Sequence, residues 1–181
     1  MGKMKDGLAN PLRQDATGND GLVQVVVETP KGSRNKYAFD PKRRTFRLKK
    51  VLPEGMSFPL DFGFIPSTEA DDGDPLDVLL LMDQPVFPGC LVDARLIGVM
   101  EAEQSEDGKT NRNDRLIAVC DASHTHSDVR SVGDLNDRLL REIEQFFVNY
   151  NALSGKKFKV LACKGPRAAA KCLKRAEAEA A

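Results

Sequence analysis

The chain has 181 residues, with 27 basic and 27 acidic side chains and no formal net charge. That length suits one domain with a self-sufficient core, and the balanced charge leaves no global field to draw in nucleic acid. The start lacks a charged-then-apolar-then-small signal pattern, and no apolar run approaches the ~18 residues of a membrane span. The reading is a cytoplasmic protein with neither nucleic acid nor membrane as a partner.

Residues 1–21 mix Gly, Asn, Asp and Lys without periodicity and read as a flexible or surface-draped extension. The domain then spans 22–181. Leu22 to Glu28 is a Val-rich strand closed by Thr29-Pro30 and the turn at Gly32-Ser33. Tyr37–Phe39 and Thr45–Val51 make a second and a third strand, joined through Asp40-Pro41 as a hairpin. From Leu52 to Pro66, three prolines and two glycines interleave with Phe58, Phe62 and Phe64, which predicts an irregular packed path with short extended pieces.

Val78–Met82 and Leu91–Met100 are strands, and the polar arm Glu101–Asp114 is a loop or a twisted hairpin tip. Arg115–Cys120 is a further strand. His124 and His126 follow it without a third ligand at recognisable spacing, as exposed loop histidines do. Ser131–Asn151 is the clearest helix, with a capping start and a stripe of Leu135, Leu139, Ile143, Phe146, Phe147 and Tyr150. A strand at Lys157–Ala162 and an Ala-rich helix at Arg167–Ala181 complete the chain. Cys90, Cys120, Cys163 and Cys172 are far apart and read as reduced thiols. These elements predict an α+β fold, a small twisted barrel with helices on its flank.

The chemistry concentrates in one loop. Asp72, Asp74 and Asp77 surround the structure breakers Gly73 and Pro75, directly before an apolar strand. Carboxylates this close repel one another unless a cation lies between them, and clustered oxygen ligands suit a hard divalent ion such as Mg²⁺. A solvated acidic turn is the plainer alternative. Residues 51–94 contain nine acids and no Lys or Arg, whereas Lys31–Lys50 holds nine basic residues against Asp40 alone. Such polarity suggests a site that holds an anion and a metal together. An EF-hand is excluded, since the sixth position from Asp72 is Asp77 where Gly is required. No phosphate-binding glycine motif and no nucleophile elbow is present. Carboxylates, cations and a few hydroxyls fit metal-assisted phosphoryl transfer to water.

DGDPLD at Asp72–Asp77, preceded by the aromatic- and proline-rich Phe58–Ile65, resembles the signature region of soluble family I inorganic pyrophosphatases. The likeness runs through Glu28–Pro30, Asn35–Tyr37, Phe87–Gly89, Arg115–Val119 and Phe146–Tyr150, covering about residues 22 to 165. It implies Mg²⁺-dependent hydrolysis of pyrophosphate to two phosphates on an OB-like five-stranded barrel with additional strands, one long helix and one C-terminal helix. It also implies metal ligation by Asp72, Asp77 and Glu28, and by an acid of the 101–114 arm, with Asp107 and Asp114 put ahead of Glu103 and Glu106. Asp74 would accept the proton of a metal-bound water, and Lys36, Lys50, Arg115 and Tyr150 would neutralise phosphate charge. By analogy alone, the assembly would be a homo-oligomer, possibly a hexamer.

Several positions depart from the family pattern. Ala38 replaces a Glu, Lys50 an Arg, Phe58 and Phe62 two tyrosines, Asn151 a Lys, and Asn113-Asp114-Arg115 stands where the family has Asp-x-Lys. The rival reading is therefore a non-catalytic or weakly active homologue that binds phosphate and metal.

Overall fold

Five strands close into a ring in the computed structural model, which describes residues 10–180. The elements are β1 (Val23–Thr29), β2 (Asn35–Asp40), β3 (Thr45–Val51), β4 (Asp61–Phe64), β5 (Asp77–Leu81), β6 (Leu91–Glu106), β7 (Lys109–Arg112), β8 (Arg115–Cys120), α1 (Asp137–Ala152), β9 (Lys157–Lys164) and α2 (Pro166–Glu179). Strands β1, β4, β5, β8 and β6 pair in that order, and β1 also pairs with β6, so the ring has no free edge. This is the expected α+β architecture with an OB-like barrel. Strands β7 and β9 extend β6, and β2–β3 form a separate hairpin.

Strands β5 and β8 lie side by side in parallel, buried on both faces, which is why they read as unbroken apolar runs rather than alternating ones. On one face Val25, Val27, Val78, Leu80 and Leu116 pack with Ala169, Leu173 and Ala176 of α2. On the other, Leu79, Leu81, Ile97 and Ile117 pack with Ile143 and Phe147 of α1.

Three elements take a form that the sequence left open or placed differently. The stretch expected to follow an irregular path with short extended pieces has one such piece in β4, a fully buried four-residue strand between β1 and β5. Its Gly63 marks a close approach, since a Cβ there would lie 2.1 Å from the Val26 carbonyl oxygen. The polar arm, expected as a loop or a twisted hairpin tip, is a hairpin. Strand β6 runs on to Glu106 and returns as β7 through a two-residue turn at Asp107-Gly108, both with positive φ. Helix α1 begins after the predicted start, because Ser131 caps a separate short turn, Val132–Asp134, and Asn136 then caps α1 through the Arg138 amide.

Of the expected N-terminal extension, residues 1–9 lie outside the described residues. Residues 10–21 are laid against the barrel: Gln24 N donates to the Ala16 carbonyl at 2.9 Å, and Ala16 is buried. Among the described residues no helix is long and apolar enough to cross a membrane, and all four cysteines are free thiols.

Candidate active site

A cleft of about 510 Å³ opens where the β2–β3 hairpin, the acidic loop between β4 and β5, the end of β6, the start of β8 and the last turn of α1 meet. Its walls include Glu28, Lys36, Asp72, Asp74, Asp77, Arg115 and Tyr150, seven of the ten residues singled out in the sequence. The acidic and basic segments thus face into one space.

Two register slips aim side chains into it. Between Val27 and Thr29, β1 advances two residues while β4 advances one, leaving Glu28 as the extra residue of a bulge. Glu28 is fixed there by the Phe39 amide at 2.8 Å and by Lys36 Nζ at 3.2 Å. Lys36 in turn lies over the Phe62 ring, 4.0 Å from its centroid, so its charge is held by both a carboxylate and a π face. The second slip lies between Lys36 and Tyr37, where Lys49 becomes the extra residue of β3. Lys49 therefore lines the cleft and Lys50 does not. Lys50 instead sits 3.9 Å over the Tyr150 ring and donates to Ser154 Oγ.

The acidic loop is anchored at both ends. Thr68 Oγ1 donates to the Ile65 carbonyl and accepts from the Leu76 amide, closing the base. Within the loop the Ala70 amide bonds the Asp74 carbonyl, the Asp74 amide bonds Asp72 Oδ1, and Gly73 takes φ +83°. That conformation suits glycine. Burial raises the Asp74 carboxyl above the usual range, and the nearby charges of Asp72 and Glu28 raise it further. Burial likewise pushes Asp77 up to about 6, against the opposing pull of Arg115. Arg115 Nη2 lies 3.6 Å from Asp77 Oδ2, and its guanidinium stacks between Phe147 and Phe158. Burial also raises the Tyr150 phenol to about 12, so it remains a hydrogen-bond donor at neutral pH.

The two arm acids lie elsewhere. Asp107 is exposed at the β6–β7 turn. Asp114 accepts from the Ala102 amide at 3.0 Å and pairs with Arg112 at 2.8 Å, which turns it out of the cleft lining. In their place the cleft carries Gln104 and Asn113. The Asn113-Asp114-Arg115 departure flagged Asn113. Gln104 and Lys49 could be found only from strand register. Phe62 lines the cleft, whereas Phe58 is buried behind it against Phe146 and Tyr150.

Among the described residues no three His, Cys, Asp or Glu side chains converge closely enough to enclose one ion, at the acidic loop or beside His124 and His126. Mg²⁺ does not require such a cage, because one or two carboxylates with waters and substrate phosphate oxygens are its usual shell. The mutual repulsion among Asp72, Asp74, Asp77 and Glu28 is what a cation relieves, so the donor set fits a divalent ion.

A sequence model described as inorganic pyrophosphatase matches residues 25–181. The inorganic pyrophosphatase of Synechocystis is 42% identical over 144 residues, spanning 80% of this chain and 83% of its own. That of Geobacillus stearothermophilus is 41% identical over 154 residues, spanning 84% and 90%. The crystal structure of inorganic pyrophosphatase from Thermus thermophilus matches with a TM-score of 0.87 at 35% identity, covering 95% of this chain and 99% of that one. With a family match over more than half its length and relatives above 40% identity, the chain belongs to the inorganic pyrophosphatase family.

Proposed function

We propose that this protein hydrolyses inorganic pyrophosphate to two phosphates in a Mg²⁺-dependent reaction within the cleft. The observation that carries the reading is the meeting of Glu28, Asp72, Asp74 and Asp77 with Lys36, Lys49, Arg115 and Tyr150 around one space. Asp72, Asp77 and Glu28 would hold the divalent ion, which when bound supplies charge neutralisation and an activated water. Asp74 is the general base: its raised basicity brings it nearer the operating pH. Lys36, Arg115 and Tyr150 orient the phosphate oxygens and neutralise their charge, with Lys49 at the hairpin side. Lys50 supports from behind, through the Tyr150 ring. Family likeness alone supports a homo-oligomer, and the free thiols support a cytoplasmic location.

Phosphate release from pyrophosphate and from ATP, assayed in parallel with and without Mg²⁺, tests the activity. Release from pyrophosphate only with Mg²⁺ is expected, and none under any condition would favour the non-catalytic homologue. Asp77→Asn should abolish Mg²⁺-dependent turnover with the fold intact. Asp74→Asn should lower turnover far more than Mg²⁺ affinity, measured by calorimetry. Equal losses in both would make Asp74 a ligand instead.

A further inference from the structure

The remaining polar wall of the cleft has different chemistry from the acidic loop. It consists of Gln104 near the end of β6, Asn113 between β7 and β8, and Arg115 at the start of β8. Asn113 Nδ2 donates to Gln104 Oε1 at 3.1 Å. Whichever way the two amides are turned, one such bond uses one N–H and one carbonyl, leaving three N–H donors against one carbonyl oxygen. Arg115 adds only donors. It is 4% exposed, and its buried Nε has no hydrogen-bond partner. Asp114, the acid next in sequence, is held by the Ala102 amide and Arg112 and does not line the cleft beside them.

We infer that Gln104, Asn113 and Arg115 form a donor wall that hydrogen-bonds a phosphate group directly, with no divalent ion between. The inference rests on the pyrophosphate reading for its substrate and on the donor count for its chemistry. A tetrahedral oxyanion presents only acceptors, and so complements three amide N–H groups and a guanidinium. A cation at the same place would meet the Arg115 charge and a single carbonyl oxygen. Gln104 and Asn113 are thereby specificity residues: neutral donors beside the Arg115–Asp77 pair, fixing which end of the substrate is held by protein and which through metal.

The test is titration of inorganic phosphate into the full-length protein in EDTA, followed by calorimetry. Saturable binding is expected, and Gln104→Glu and Asn113→Asp should each weaken it about tenfold by turning a donor into a repelling acceptor. In Mn²⁺ titrations read by electron paramagnetic resonance, the same variants should bind an additional ion or bind ions more tightly. Gln104→Met, similar in length but without donors, serves where an acidic variant fails to fold and should weaken phosphate binding several-fold. If the amide pair only ties β6 to the β7–β8 link, Gln104→Met will lower the melting temperature and leave phosphate affinity unchanged. That result overturns the inference, as does an absence of metal-free binding to the unmodified protein at millimolar phosphate. No turnover enters these readouts, so failure of the hydrolysis reading and failure of the donor wall are separately visible.

Discussion

Phe58 and Phe62 belong to one family motif and pack on each other, but only Phe62 lines the cleft. Phe62 is cleft wall, with Lys36 Nζ over its ring. Phe58 is 2% exposed and enclosed by Phe62, Phe146 and Tyr150. A hydroxyl on Phe62 can reach an anion in the cleft, whereas one on Phe58 would be buried among rings. Phe62→Tyr should therefore lower the Michaelis constant for pyrophosphate by up to about tenfold with little change in melting temperature. Phe58→Tyr should cost about 1 to 3 kcal/mol of stability in urea denaturation and leave the Michaelis constant alone. The reverse pattern would place Phe58, not Phe62, at the anion.

At the scale of elements, glycine decides where strands can cross. A Cβ on Gly63 would collide with the β1 backbone, and one on Gly98 would lie 2.3 Å from Val132 Cγ1 and 2.5 Å from the Lys164 carbonyl. Backbone cannot yield as a flexible side chain does. Gly63→Ala and Gly98→Ala should each cost about 3 kcal/mol or more, readable as loss of the cooperative urea transition or as insoluble expression. A polar pin has a different signature. Asp83, just past β5, accepts from Ser123 Oγ and from the His124 and Thr125 amides, and these bonds hold its carboxyl well below the ordinary value of 3.8. The stability it contributes is fully present above the unfolded value and is lost as pH falls toward the lower folded one. Asp83→Asn should accordingly reduce the difference in melting temperature between about pH 5 and pH 2. An unaltered acid limb would mean that other carboxylates govern it.

For the whole molecule, the cleft is completed from both ends of the chain. The Ser67 amide and hydroxyl donate to the Leu12 and Gln14 carbonyls, which brings Leu12 to the cleft wall. Helix α2 holds the same loop from its other side, with the Glu69 amide on the Ala176 carbonyl and Arg175 3.6 Å from Asp71. Deleting residues 1–18 removes the buried Ala16 and the two Ser67 bonds. A loss of about 2 kcal/mol is expected, which lowers the melting temperature by roughly 4 to 8 °C, together with a raised Michaelis constant. A shorter chain with unchanged melting and kinetics would make residues 10–18 a passive cover.

The sequence by itself determined the strand-rich α+β class, the acidic loop with its flanking breakers, the Val-rich and apolar strands, both helices and the charge polarity between residues 31–50 and 51–94. These are local: periodicity, turn chemistry and composition act within a few residues. Tertiary structure decided the rest, because it depends on which backbone lies beside which. Strand β4 is four residues long and recognisable only once β1 and β5 flank it. The bulges at Glu28 and Lys49 are properties of paired registers, and the second exchanges Lys50 for Lys49 at the cleft. The family resemblance offered Asp114 as a ligand, yet the return of β6 through β7 turns it onto Arg112 and brings Gln104 and Asn113 inward. A one-residue change of register sends a side chain to the opposite face of a strand, and register is fixed by contacts between segments far apart in the chain.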